Sequence, residues 1–237
     1  MQLYNTLTKS VQPFSPIQDN TARIYSCGPT VYDSIHIGNL SAFVYADTLR
    51  RVLKASDMQV RHVMNFTDVD DKTIRRSREQ DPGSDPLKAL KTITEKYAQI
   101  FLEDMEAIGN DVNVYEFIKA TDYVPQMQLL IKELLNSGIA YKTDDGIYFS
   151  ITTYRERGKT YGQLLTLTVE NTSEARIQND EYDKATTHDF ALWKKQKDGE
   201  PAWNFEIEGE SFKGRPGWHI ECSAMSKTTL GLPFDIH

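Results

Sequence analysis

Tyr25-Ser26-Cys27-Gly28-Pro29-Thr30-Val31-Tyr32-Asp33, followed after Ser34-Ile35 by His36-Ile37-Gly38-Asn39, is the stretch whose reading decides the fold. Residues 22–27, ARIYSC, read as a short strand. The strand breaks at Gly28-Pro29, where proline removes a backbone donor and fixes φ. Downstream, Leu40, Phe43, Val44, Leu49, Val52 and Leu53 recur at helical spacing over 37–55. Residues 58–66, MQVRHVMNF, alternate well enough for a second strand. Strand, helix, strand makes a βαβ unit with parallel strands. In open parallel sheets ligands lie beyond the carboxyl ends of the strands. Cys27 and Thr67, at the two strand ends, are therefore expected to face one crevice.

Further along, an amphipathic helix spans 86–108, with Leu87, Leu90, Ile93, Tyr97, Ile100, Phe101 and Ile108 on one face. Another spans 122–137 and stops at Gly138. YKTDDGIYFSI predicts a β-hairpin with Asp145-Gly146 as its turn. Residues 152–200 are polar and irregular, and read as a surface insertion returning to the core at Phe190-Ala191-Leu192-Trp193. A helix is expected from Trp218 and a strand from Phe234, so the chain ends inside a strand. The whole is an α/β domain over 1–237, a Rossmann-like parallel sheet with a helical and hairpin connective insertion at about 110–200.

Bulk properties narrow the class. The 237 residues are 39% apolar and carry a net charge of −7. Acidity on that scale argues against a protein that coats nucleic acid, because phosphate neutralisation supplies most of that affinity. Arg75, Arg76 and Arg78 form a tight basic cluster that reads as a solvated helix end. No run of 18 apolar residues predicts a membrane span, and the first residues lack a signal-peptide pattern. Two distant cysteines make no secreted disulfide framework, so a reducing cytoplasm is expected.

Two places carry chemistry. His36 and Asn39 lie on the first turn of a helix, where free N–H groups and the dipole favour anions. Gly38 allows close approach of a ligand to the backbone. The same His36 also reads as a plain helix cap. Cys27 and Cys222 are the only cysteines, 195 positions apart. Spacing alone leaves them as two buried free thiols. Thr67 reads equally as an N-cap before Asp68, Asp70 and Asp71, and Trp218 equally as a core residue. The Asp68–Lys72 run also admits a metal site, although acids in a first helical turn complement the dipole.

Together, CGPTVYD with HIGN, and Gly214-Arg215-Pro216-Gly217-Trp218-His219-Ile220-Glu221-Cys222, resemble the catalytic domain of the cysteinyl-tRNA synthetases, a class I family, over nearly all of the chain. The resemblance implies ATP, with Mg²⁺, bound at His36, Gly38 and Asn39 on a HIGH-type signature. His36 and Asn39 would be catalytic, and Asn39 stands where the family usually has a second histidine. It implies one zinc ion held by Cys27 and Cys222, completed in the family by a downstream histidine and glutamate. Glu221 and His237 are the nearby donors that could substitute. It implies substrate contacts from Gly28, Thr30, Thr67 and Trp218. The expected reaction is activation of cysteine and its transfer to tRNA(Cys), by an enzyme that is monomeric when complete. Family motifs after His237, the KMSKS loop among them, are absent from the 237 residues, and Met225-Ser226-Lys227 is a chance look-alike. A cysteine ligase acting on an amino sugar and a non-catalytic truncated remnant are the alternatives. Zinc would serve a physical purpose, because a soft metal separates thiolate from hydroxyl where an apolar pocket separates near-isosteres only about 100-fold.

Overall fold

The computed structural model describes residues 1–164 and 189–237. An antiparallel hairpin of β1 (Gln2–Asn5) and β2 (Ser10–Pro13) opens the chain. Then come β3 (Thr21–Ser26), α1 (Ile37–Ala55) and β4 (Gln59–Phe66), the expected βαβ unit, with parallel register from Thr21↔Gln59 to Ser26↔Met64. Helices α2 (Asp71–Gln80) and α3 (Pro86–Ala107) lead to β5 (Tyr115–Lys119), which pairs parallel with β4.

After β5 the chain builds a second, antiparallel sheet. A 3₁₀ turn at Ala120–Tyr123 runs into α4 (Val124–Asn136). Strands β6 (Ala140–Lys142) and β7 (Gly146–Phe149) follow, then the short α5 (Ile151–Glu156) and β8 (Phe190–Lys195). A small hairpin of β9 (Glu206–Ile207) and β10 (Glu210–Ser211) precedes β11 (Gly214–Pro216). The sheet order is β11-β8-β7-β6. About half of the 152–200 insertion read from the sequence, residues 165–188, lies outside the described residues. The hairpin turn falls one residue earlier than expected. Gly146 opens β7 and Thr143 N–H donates to its carbonyl at 2.9 Å. A Cβ on Gly146 would stand 2.6 Å from the Trp193 carbonyl oxygen, so the glycine serves strand packing.

Helix α6 (Trp218–Leu230) brings the chain back beside β3. There Ile236 makes a parallel bridge to Ile24, on the side of β3 away from β4. Arg23 pins this return. Its guanidinium donates to the Leu230 and Pro233 carbonyls at 2.7 and 2.6 Å, and its own N–H donates to Asp235 Oδ2 at 2.8 Å. The parallel order is thus Ile236, β3, β4, β5, and β3 is where the direction of progression reverses. Ligand crevices form at such a switch point, beyond the strand carboxyl ends.

The pleat of β4 sorts its side chains onto two faces. Val63 packs with Tyr25, Ile220, Ala224 and Met225 on the α6 side. Met64 and Phe66 pack with Phe43, Ile93 and Phe101 on the side of α1 and α3. Asn65 shares the face of Val63, which aims a polar residue at α6. No helix among the described residues is long and apolar enough to cross a membrane.

Candidate active site

Cys27 directly follows β3 and Cys222 lies on the first turns of α6. The switch-point geometry brings their sulfurs to 3.6 Å, with both thiols free. Cys27 is exposed and Cys222 half-buried. Either sulfur can donate to the other across this contact. The Cys222 thiol donates to Cys27 and holds it at about pKa 7, while Cys222 itself is pushed up. Two thiolates on one tetrahedral zinc, each at ~2.3 Å, stand about 3.8 Å apart, so this pair fits two corners of such a site. Among the described residues no group of three or more His, Cys, Asp and Glu converges as metal ligands. Glu221 and His237 therefore do not complete the set. A reactivity difference follows from the lowered Cys27 value. Iodoacetamide should label Cys27 first, with a rate rising to half-maximum near pH 7, the thiolate being lost below that. Equal labelling of both cysteines with inflections at the ordinary ~8.5 would show that Cys222 does not lower the Cys27 value.

Asn65 organises the floor of the site. Its Oδ1 accepts from Tyr25 O–H at 3.1 Å and from Gly28 N–H at 3.2 Å, and lies 3.8 Å from the Cys222 sulfur. Its Nδ2 donates to Thr67 Oγ1 at 3.2 Å. Pro29 and Thr67 then join by backbone: Thr67 N–H donates to the Pro29 carbonyl at 3.0 Å, and Val31 N–H to the Thr67 carbonyl at 3.2 Å. These bonds continue the parallel pairing past the end of β3 through a Thr30↔Thr67 bridge. Thr67 is buried and does not cap a helix. Asp70 is the cap of α2, in a reciprocal pair with Thr73.

Gly28 meets β4 so closely that a Cβ would stand 1.7 Å from the Asn65 carbonyl oxygen. The obstructing atom is strand backbone, which cannot yield as the end of a flexible side chain would. Gly28→Ala should therefore destabilise the fold by about 3 kcal/mol, the upper range for overpacking, and separate the two sulfurs. Denaturant unfolding measures the first effect. A loss under about 1 kcal/mol would mean that residues 28–30 can swing clear of β4.

His36 caps α1. Its Nδ1 accepts from Gly38 N–H at 3.1 Å. The capping reading of His36 thus holds, and it coexists with exposure of His36, Gly38 and Asn39 at the helix start. Because Nδ1 accepts, the neutral ring carries its proton on Nε2, which leaves a donor for a ligand. A Cβ on Gly38 would lie 2.9 Å from His36 Cε1, so the glycine makes room for the ring. No acid occupies the first turn of α1, and the local field favours an anion.

The acids after β4 have structural partners. Asp68 accepts from Thr121 N–H and Oγ1–H at 2.9 and 2.6 Å. Asp70 accepts from Thr73 N–H at 2.7 Å. Asp71 pairs with Arg215 and, at 3.0 Å, with Lys194, tying α2 to the antiparallel sheet. The basic cluster is likewise engaged. Arg76 reaches Tyr97 O–H and Arg78 the Asp198 and Gly199 carbonyls, while Arg75 stands 3.9 Å from Glu79. Trp218 is the first residue of α6, and its side chain lies outside the described residues. Sequence reading missed Asn65 altogether. Its signal was a lone amide at an inward position of an apolar strand.

A sheet switch point that carries a thiol pair, with a histidine-capped helix start following β3, offers a soft donor pair and an anion-favouring helix end. Residues 13–237 match the family described as tRNA synthetases class I (C) catalytic domain, and the chain belongs to that family. It is 45% identical to the cysteine–tRNA ligase of Koribacter versatilis, an alignment covering 100% of this chain and 45% of that protein. It is 43% identical to the cysteine–tRNA ligase of Pyrococcus horikoshii and 41% to that of Methanococcus maripaludis, covering 100% of this chain and 47% of each relative. The chain thus spans about half the length of the curated relatives it matches.

Proposed function

We propose that this chain carries the cysteine-activating part of a cysteine–tRNA ligase. The carboxylate of cysteine attacks the α-phosphorus of Mg²⁺-bound ATP, forming the acyl–phosphate bond of cysteinyl-adenylate and releasing pyrophosphate. The cysteinyl group then passes to the 3′ end of tRNA(Cys). The amino-acid carboxylate is ionised at neutral pH, so the first step needs no general base. Positioning and charge stabilisation supply the rate. The observation that carries this reading is the convergence of Cys27 and Cys222 to 3.6 Å at the sheet switch point, next to the exposed start of α1.

Each element has a part in the reading. The α1 N-terminus, the His36 Nε2 donor, the Gly38 backbone and the Asn39 amide meet the phosphates. Asn65 holds Gly28 and Thr67 in place. Thr30 and Thr67 serve the amino-acid side of the crevice. Cys27 and Cys222 would hold zinc, which when bound gives the thiol of cysteine a soft ligand that serine lacks. The test is cysteine-dependent exchange of pyrophosphate into ATP, with serine as the control amino acid. Exchange with cysteine alone is the expected result, in a chain extended to the length of the relatives. Exchange driven by another amino acid, or by none, would remove the proposal.

A further inference from the structure

Glu221 is the buried group that the reading above leaves without a task. It is 1% exposed, and neither of its carboxylate oxygens accepts a hydrogen bond of good geometry, the Thr67 hydroxyl being a donor close by. An acid in the first turn of α6 complements the helix dipole, but that does not satisfy the oxygens. A buried acceptor left unmade costs free energy, more so for a charged group. The groups facing Glu221 are Asp68, Asp70, Cys27 and the Thr67 hydroxyl. Asp68 and Asp70 already accept from Thr121 and Thr73, which leaves Glu221 as the acceptor still open in a region of negative charge. Adjacent residues on a helix do not face each other, so Glu221 diverges from Cys222. Consistent with that, it joins no metal-ligating cluster among the described residues.

We infer that Glu221 receives the α-ammonium of an aminothiol whose sulfur is held at Cys27 and Cys222. The inference rests on the cysteine reading of the site and adds a contact to it. An ammonium brings three donors and one positive charge, which suits a buried carboxylate that accepts no well-formed hydrogen bond. In cysteine the nitrogen and sulfur are on neighbouring carbons, so a thiol fixed at the pair delivers the ammonium close by. The Thr67 hydroxyl, beside Glu221, lies on the same approach.

Cysteamine and 2-mercaptoethanol test this, because they have the same length and differ by ammonium against hydroxyl. Binding of both, and of cysteine, is measured calorimetrically to this chain in the presence of excess zinc. The wild-type chain should bind cysteamine at least about tenfold tighter than 2-mercaptoethanol, the scale of one charge-assisted hydrogen bond. E221Q keeps the shape and is neutral. It should lose that preference and weaken cysteine by a similar factor, with 2-mercaptoethanol and zinc content unchanged. Glu221→Asp should retain part of the preference. Equal binding of the two thiols by the wild-type chain overturns the inference, whatever the folding of the variants. So does a preference that survives in E221Q, or an equal loss of all three thiols together with zinc, which would assign Glu221 to the metal. Failure of all three thiols to bind the wild-type chain would overturn the cysteine reading as well.

Discussion

Cys27→Ser is expected to lower cysteine-dependent adenylate formation by at least about 100-fold, or roughly 2.7 kcal/mol of transition-state stabilisation. The reason lies in the sulfur pair. Cys27 has its pKa lowered to about 7 by the Cys222 thiol, so a thiolate is available at neutral pH without a strong base. A serine hydroxyl at the same position is neither ionised nor soft, and a zinc ion prefers thiolate. Metal and amino acid should therefore be lost together, while ATP binding changes little, because the phosphates are assigned to the start of α1 and not to the sulfur pair. The substitution is nearly isosteric at an exposed position, so folding should survive. Two measurements decide: the metal content after dialysis and the rate of adenylate formation at saturating ATP. A Cys27→Ser variant that activates cysteine at the wild-type rate would end the metal role of Cys27, whatever its zinc content.

Much of what positions that pair was legible in the sequence. The helix over 37–55 and the strand over 58–66 coincide with α1 and β4 almost to the residue. The period of α1 can be counted and it has a clear start at His36, whereas β4 alternates only over Gln59–Arg61 and is buried on both faces after that. Of the strand expected from Phe234, only an isolated one-residue bridge, Ile24↔Ile236, is present. What was not legible depends on contacts across long stretches of chain. Strand β5 is five residues long, and its inward Tyr115 and Phe117 look like any short aromatic run until β4 supplies the partner. Arg23 and Asp235 are 212 positions apart, and neither announces the other. Asn65 and Glu221 were hidden for a related reason. A polar residue in a strand or a first helical turn has an ordinary surface reading, and only packing shows that both are buried. The thiol pair is the intermediate case. Spacing could not join Cys27 to Cys222, resemblance could, and the sheet order supplies the physical cause.

His36→Ala should slow adenylate formation by about 10²- to 10³-fold, the usual cost of one preorganised donor at a developing phosphate charge. The structure adds a complication that a second substitution resolves. His36 also caps α1 through Nδ1, so alanine removes the cap as well, at about 1 kcal/mol of stability. Serine is a good N-cap but carries no imidazole. His36→Ser should therefore restore the stability lost in His36→Ala and leave the rate as low. If the serine variant recovered both, His36 would be a cap and nothing more, and the phosphates would have to be placed elsewhere. Asn39 completes the argument from the other side. It is exposed on the same turn and makes no demand on the core, so Asn39→His should be tolerated. It adds a donor that can also be charged, and it should speed activation modestly as pH falls through the histidine range. The rate ratio of Asn39→His to wild type, followed from about pH 8 down to about 6, on either side of the ordinary histidine value, reads this directly. A flat ratio across that range would show that residue 39 does not face the phosphates, even if His36 does.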